Sequence, residues 1–315
     1  MKHSYEAPLV RSVEDAKMIL NAARQLYIPP HAESKAITKT LDFSAIFRPR
    51  NFDEYIGQDE AIYLSRIMVA AALNESRPLP NIMIAGGYGL GKTTLATLII
   101  QAMGLPLRVH DGYSINKAIP DHGTIVIDEI HNLQPEITDV LNGYIDSGKL
   151  SIVGCTTNPG ALPLAFRSRF RNLFLEDYRV EDLVQILSLI CNRRGIEYDL
   201  EGLEFIAQRS RFNARQGITF LQIVFDFMSV NKEQSLSKGI AVKTLEKLGV
   251  DQRGLLPRDK KYLNALPSDR AVGLSYLVSM LGIDEDTITN EIEPYLMRMG
   301  YIDRTSRGRT LVVPA

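Results

Sequence analysis

Two cysteines, Cys155 and Cys191, are too few and too plainly spaced for a disulfide framework or a zinc site. Both read as core residues of a protein kept in a reducing interior. An excess of one charge is also missing: 36 Lys and Arg against 37 Asp and Glu leave a formal net charge of −1. No whole-molecule field therefore favours nucleic acid, and any such surface must be local. No apolar run reaches the roughly 18 residues that a membrane span requires, and Met1-Lys2-His3-Ser4-Tyr5-Glu6 lacks an apolar signal core. These absences predict a soluble, cytoplasmic chain with no membrane contact. Internal repeats and low-complexity segments are likewise absent.

With 315 residues, 45% of them hydrophobic, the chain has material for two or three compact units. Residues 1–44 read as a helical extension, with Ser12-Val13-Glu14-Asp15 as a capping box and Pro29-Pro30 as a stop. Over 45–178, short apolar runs alternate with helical patterns; Asn81–Ala85, Thr124–Ile127 and Ile152–Cys155 read as strands. The alternation predicts an α/β fold, a parallel sheet with helices on both faces. Residues 179–243 carry helical periodicity alone and predict a small helical domain. The segment 244–315 combines short helices with a terminal β-hairpin whose tip is rich in glycine and arginine.

Gly86-Gly87-Tyr88-Gly89-Leu90-Gly91-Lys92-Thr93 spells a phosphate-binding loop directly after an apolar strand and before a helix. A strand, a glycine-rich turn and a helix N-terminus together aim backbone N–H groups at one point, where polyphosphate is stabilised. Lys92 is expected to neutralise the β and γ phosphates and the Thr93 hydroxyl to ligate Mg²⁺, while Gly86, Gly89 and Gly91 permit the turn. Thr124-Ile125-Val126-Ile127-Asp128-Glu129 ends a β-branched strand in two carboxylates. Asp128 is expected to hold the Mg²⁺ shell and Glu129 to orient and polarise the attacking water. The expected ligand is a nucleoside triphosphate.

Arg48-Pro49-Arg50-Asn51-Phe52-Asp53-Glu54-Tyr55-Ile56-Gly57-Gln58 resembles the RuvB family of AAA+ Holliday-junction branch-migration motors. So do the loop's tail, Gly89-Leu90-Gly91-Lys92-Thr93-Thr94-Leu95-Ala96, and Ile127-Asp128-Glu129-Ile130-His131. The likeness runs from about Phe47 to Arg309. Its most selective part is the ending, in Glu293-Pro294-Tyr295-Leu296 and Arg304-Thr305-Ser306-Arg307-Gly308-Arg309. The resemblance implies an AAA+ ATPase domain, a helical lid and a C-terminal winged-helix domain that binds DNA. It also implies ATP with Mg²⁺, a ring of copies (a hexamer) and action on double-stranded or branched DNA in recombination, repair or replication.

Carried over by that resemblance, Thr157 senses the γ phosphate and Arg169 is the arginine finger offered to a neighbouring subunit, with Arg167 as the fallback. Arg215 senses from the lid. Leu90 and Thr94 belong to the nucleotide-binding loop, and Arg48, Pro49, Tyr55 and Ile56 contact the adenine. Tyr178 is either a further surface for the base or a buried core tyrosine. Arg298, Arg304, Arg307 and Arg309 stand against one acid, Asp303, and the resemblance implies that Arg304, Arg307 and Arg309 meet DNA. His131, next to the carboxylates, reads as a packing residue or a support behind them, with no catalytic role.

The stretch from Asp128 to Thr157 is shorter than in that family and lacks the hairpin that grips RuvA, so the implied dependence on a RuvA-type partner is in question. The longer leader keeps a second reading open, a loader or switch that remodels a protein partner such as a replicative helicase, reached through residues 1–44. A DNA-binding regulator with vestigial nucleotide binding is the third reading.

Overall fold

The computed structural model describes residues 47–115 and 119–312. The capping box read at Ser12 and the rest of the 1–44 extension lie outside the described residues. Everything described falls within one compact unit, Ser44–Ala315.

Five parallel strands form the central sheet: β1 (Ile82–Ala85), β2 (Val109–Asp111), β3 (Gly123–Asp128), β4 (Leu150–Thr156) and β5 (Arg171–Phe174), in the order β2-β3-β4-β1-β5. Strand residues alternate faces, so each side chain's neighbours follow from its parity. Ile82, Ile84, Val126, Val153 and Cys155 enter one core with α1 (Asp59–Asn74) and α2 (Lys92–Ala102). Met83, Ile125, Ile127 and Ile152 enter another with α3 (Pro135–Asp146) and α4 (Leu164–Arg167), through Ile137, Leu141 and Phe166. Such fully buried side chains each contribute about 1.5–3 kcal/mol. The expected strands are present, and the sequence reading missed β2 and β5. A 3₁₀ turn (Ile130–Asn132) and α3 make up the connection from β3 to β4.

Four helices follow: α5 (Val180–Arg194), α6 (Leu200–Gln208), α7 (Ala214–Asn231) and α8 (Lys238–Lys247), with the two-residue strands β6 (Glu197–Tyr198) and β7 (Ser235–Leu236) paired between them. Their core, with Leu187, Leu203, Phe220 and Leu245, is continuous with the α1/α2 side of the sheet. The expected boundary between residues 243 and 244 cuts through α8, whose buried Ala241 and Leu245 belong to this helical lid.

A separate core gathers Leu255, Tyr262, Leu277, Ile288, Ile292, Leu296 and Ile302. It joins α9 (Pro257–Ala265), α10 (Leu274–Leu281), α11 (Glu285–Thr287), a π-helical turn (Ile288–Ile292) and α12 (Glu293–Arg298) to the antiparallel pair β8 (Ile302–Thr305) and β9 (Gly308–Leu311). Val272 exchanges backbone hydrogen bonds with Arg309, at 3.0 and 2.8 Å, and so pins the hairpin to the helices as a wing. The architecture is an α/β body with a parallel sheet, a helical domain and a winged helix. Among the described residues no helix is long and apolar enough to cross a membrane.

Candidate functional site

The loop from Gly86 to Gly91 leaves the C-terminal end of β1, buried at every position, and opens α2. Gly91 has φ +97°, and a Cβ there would stand 2.3 Å from the Tyr55 hydroxyl; Gly89, at φ +73°, is pressed against Asn213. Neither position admits a side chain. The Tyr55 hydroxyl donates to the Leu90 and Gly91 carbonyls at 3.3 and 3.1 Å, and the Tyr178 hydroxyl to the Leu90 carbonyl at 3.1 Å. Two buried tyrosines therefore brace the loop from beneath. Burial of these phenols drives both pKa values up, so they stay protonated donors.

Lys92 is buried at the start of α2, with Nζ donating to the Gly86 and Gly87 carbonyls at 3.0 and 2.8 Å. Desolvation lowers its pKa, while Glu129, Cys155 and Asp128 act in the opposite sense. The Thr93 hydroxyl donates to Asp128 Oδ2 at 2.9 Å, joining the helix to the end of β3. A hydroxyl and a carboxylate side by side are hard oxygen donors of the kind that hold Mg²⁺, which takes few protein ligands and completes its shell with phosphates and water. The two residues fit that ion.

Glu129 follows in the left-handed region, φ 45° and ψ 49°, an arrangement that costs about 1–2 kcal/mol in a residue with a Cβ. Its backbone N–H donates to Asp128 Oδ1 at 3.1 Å, and its Oε2 accepts from the Thr157 N–H and hydroxyl at 3.3 and 3.1 Å. His131 Nδ1 lies 3.3 Å from the same oxygen and 3.0 Å from Thr156 Oγ1. Thr157, just past β4, thus meets Glu129 directly. His131 touches the carboxylate as well, from behind it.

The lid reaches the loop through its own turn. Asn213 caps α7 by accepting from Gln216 N at 3.1 Å, and its Nδ2 donates to the Tyr88 carbonyl at 2.6 Å; the Arg215 N–H meets the Gly89 carbonyl at 3.4 Å. Arg215 shares a cleft with Gly87, Tyr88 and Thr157, and among the described residues no carboxylate pairs with it. Asn213 was missed by the sequence reading, although an asparagine before a helix is a recognisable cap signal.

On the other side of the loop, Pro49, Tyr55, Ile56 and Tyr178 line an apolar pocket with Gly91, Thr94 and Ile218. Tyr178 is both buried and on that wall, so the two readings of it coincide. Arg48 is exposed and stands apart from this lining; its carbonyl accepts from Arg193 Nη1 at 2.7 Å.

Arg169 is not brought to the loop of its own chain. It lies beside Asn81, at the N-terminal end of β1, with Asn81 Nδ2 3.4 Å from the Arg169 carbonyl. The four-residue strand then separates it from the loop by about 13 Å. Asp146, at the end of α3, holds the guanidinium through two bonds of 2.9 Å. Arg167 Nη1 donates to the Pro159 carbonyl at 3.2 Å.

The arginines of the C-terminal segment divide. Arg307 is exposed at the wing's turn, and Arg304 is half exposed, 3.7 Å from Glu293. Arg309 is turned inward and its side chain is mostly buried: Nε and Nη2 donate to the two Glu293 oxygens at 2.8 and 3.2 Å. The ion pair with a fully buried glutamate engages the Nε and Nη2 groups of the guanidinium. Arg298, at the end of α12, contacts Asp177 and faces the lid rather than the wing.

Family models match along the described chain: the Holliday junction DNA helicase RuvB P-loop domain at 47–156, the RuvB AAA lid domain at 178–251 and the RuvB C-terminal winged helix domain at 252–315. The Holliday junction branch migration complex subunit RuvB of Campylobacter fetus is 33% identical over 310 residues, which cover 89% of this chain and 90% of the relative. That of Nitratiruptor sp. is 31% identical over 309 residues, covering 88% and 92%. The solved structure of the Thermotoga maritima RuvB Holliday junction branch migration motor superposes with a TM-score of 0.79 at 32% identity, covering 85% of this chain and 96% of the other. With all three domain models matching in order, and full-length relatives above 30% identity, the chain belongs to the RuvB family.

Proposed function

We propose that this protein hydrolyses ATP with Mg²⁺ and uses the energy to drive branch migration of Holliday junctions or other branched duplex DNA, as a ring of copies, a hexamer. The supporting observation is the convergence on one loop of Lys92, the Thr93–Asp128 pair, the Glu129–Thr157 pair and Arg215. Lys92 and the loop N–H groups hold the phosphates, and Arg215 meets the terminal one. Thr93 and Asp128 hold Mg²⁺, which when bound supplies charge neutralisation at the phosphates. Glu129 orients the attacking water, and Thr157 positions Glu129. The apolar wall of Pro49, Tyr55, Ile56 and Tyr178 takes the adenine.

The position of Arg169 at the far end of β1 supports a role in trans, completing a neighbour's site and making hydrolysis depend on assembly. Arg304 and Arg307 are the wing's DNA contacts, acting on phosphates with little base specificity. We place the boundary between lid and winged helix after Val250 and the protein's work in the cytoplasm, without a RuvA-type grip between β3 and β4.

The test is ATP hydrolysis by the full chain with and without four-way DNA, beside imaging with a slowly hydrolysed analogue. DNA-stimulated turnover and rings on four-way junctions are expected. Hydrolysis unchanged in Lys92→Ala, or a rate and assembly that ignore DNA, would refute the motor reading.

A further inference from the structure

A cleft of about 420 Å³ runs from the phosphate loop to the winged helix. Gly87, Tyr88 and Thr157 line it from the ATPase body, Arg215 from the lid, and Arg258 and Arg298 from the winged helix. Its cations differ in what holds them. Arg211 is buried against Asp259 at 3.3 Å, and Arg258 is held at 2.8 Å by Glu291, a residue of its own domain. Arg298 instead reaches across to Asp177, which follows β5 on the ATPase body, and both side chains remain partly open to solvent. This is the exposed pair that spans the two lobes.

The surroundings tie that pair to the loop. The Arg298 guanidinium lies 5.1 Å from the centroid of the Phe212 ring. The Phe212 carbonyl accepts from the Tyr178 N–H at 3.0 Å, next in sequence to Asp177. Phe212 and Arg211 both sit in the left-handed region at φ 57°, and Asn213 beside them donates to the Tyr88 carbonyl. Asp177, Arg298, Phe212 and the phosphate loop therefore form one contiguous set.

We infer that Arg298 is a nucleotide-sensing residue contributed by the winged helix: it exchanges Asp177 for the terminal phosphate of a bound nucleoside triphosphate. A phosphate offers more charge and more acceptor oxygens than one carboxylate, and its pairing with a guanidinium is bidentate. The same anion repels Asp177, which lines the cleft with it. A diphosphate lacks that terminal group. The DNA-binding domain is thereby tied to the ATPase body through Asp177 in one state and to the nucleotide itself in the other. The inference rests on the triphosphate reading of the same cleft.

The experiment is titration of the full chain with a slowly hydrolysed ATP analogue and with ADP, in the parent, Arg298→Ala, Arg298→Lys and the near-isosteric Asp177→Asn. Arg298→Ala should weaken the analogue about five- to tenfold and leave ADP within about twofold. Asp177→Asn should tighten the analogue, because it removes the competitor for Arg298. Arg298→Lys should fall between Ala and the parent, and it carries the test if the alanine variant folds poorly by its melting curve. An ion pair that serves structure alone predicts that Arg298→Ala and Asp177→Asn shift binding in the same direction; that result, or an equal loss for ADP, overturns the inference. If the parent binds neither nucleotide, the ATPase reading falls together with it. If the parent binds both and no variant separates them, only the role of Arg298 falls.

Discussion

Arg309 turns inward onto Glu293, with Nε 2.8 Å from Oε1 and Nη2 3.2 Å from Oε2, and the Tyr262 hydroxyl completes the group at 2.8 Å from Oε1. The glutamate is fully buried, so the charge-assisted bonds around it are what keep it in the core. Arg309 thus fastens the wing to α12. Its neighbour Arg307, two residues away in the same hairpin, points to solvent.

The two arginines should separate in experiment. Arg309→Ala leaves the buried Glu293 with only the Tyr262 hydroxyl and the more distant Arg304, and is expected to cost about 3 kcal/mol in denaturant unfolding. Arg307→Ala should stay within about 0.5 kcal/mol of the parent in stability. It should weaken DNA binding across all sequences and lower the salt slope by about one. A stable Arg309→Ala variant would contradict the buried pair.

Binding and hydrolysis should part at Lys92 and Glu129. Lys92→Ala is expected to lose nucleotide affinity, measured by titration. Glu129→Gln keeps a hydrogen-bonding group for Thr157 but not the charge that polarises water; it should bind ATP normally and turn over at least about 100-fold more slowly. Phosphate release close to the parent rate would remove Glu129 from the reaction.

Arg169 and Glu129 allow a mixing test of action in trans. Arg169→Ala and Glu129→Gln should each be inactive alone, with a loss of about a thousandfold or more for the finger. In mixed assemblies an Arg169→Ala subunit has intact Glu129 and receives Arg169 from its Glu129→Gln neighbour. Partial recovery of ATPase on mixing is expected; no recovery at any ratio would place the finger in cis.

The buried thiols give a prediction in pH. Desolvation pushes Cys191 up to about 12 and raises Cys155 further, so neither should react with iodoacetamide at pH 8 until the protein unfolds. A thiol pKa raised by folding means that the native state binds more protons than the unfolded one above about pH 8.5, so stability falls as pH rises. For Cys191 the loss at pH 10 is about 2 kcal/mol. The drop in melting temperature between pH 8 and pH 10 should be smaller in Cys191→Ala, and an equal drop would count against this account.

Local order along the chain determined much of this protein. The phosphate loop, the β-branched run ending in Asp128 and Glu129, and the hairpin at Arg307-Gly308 each depend on neighbours a few residues apart, and each stands where its sequence pattern predicts. The strands β2 and β5 escaped because they are short and lie at the sheet's edges; in β5 only Leu173 is buried, which leaves no periodicity to read. Tertiary structure alone decided which of several similar arginines faces what. Arg309 is buried because Glu293, 16 residues earlier, sits beneath it, and Arg298 turns to Asp177 because folding brings the end of α12 to the segment that follows β5. Such partners are distant in sequence, and a charge acquires its role from the groups that folding brings within a few ångströms of it.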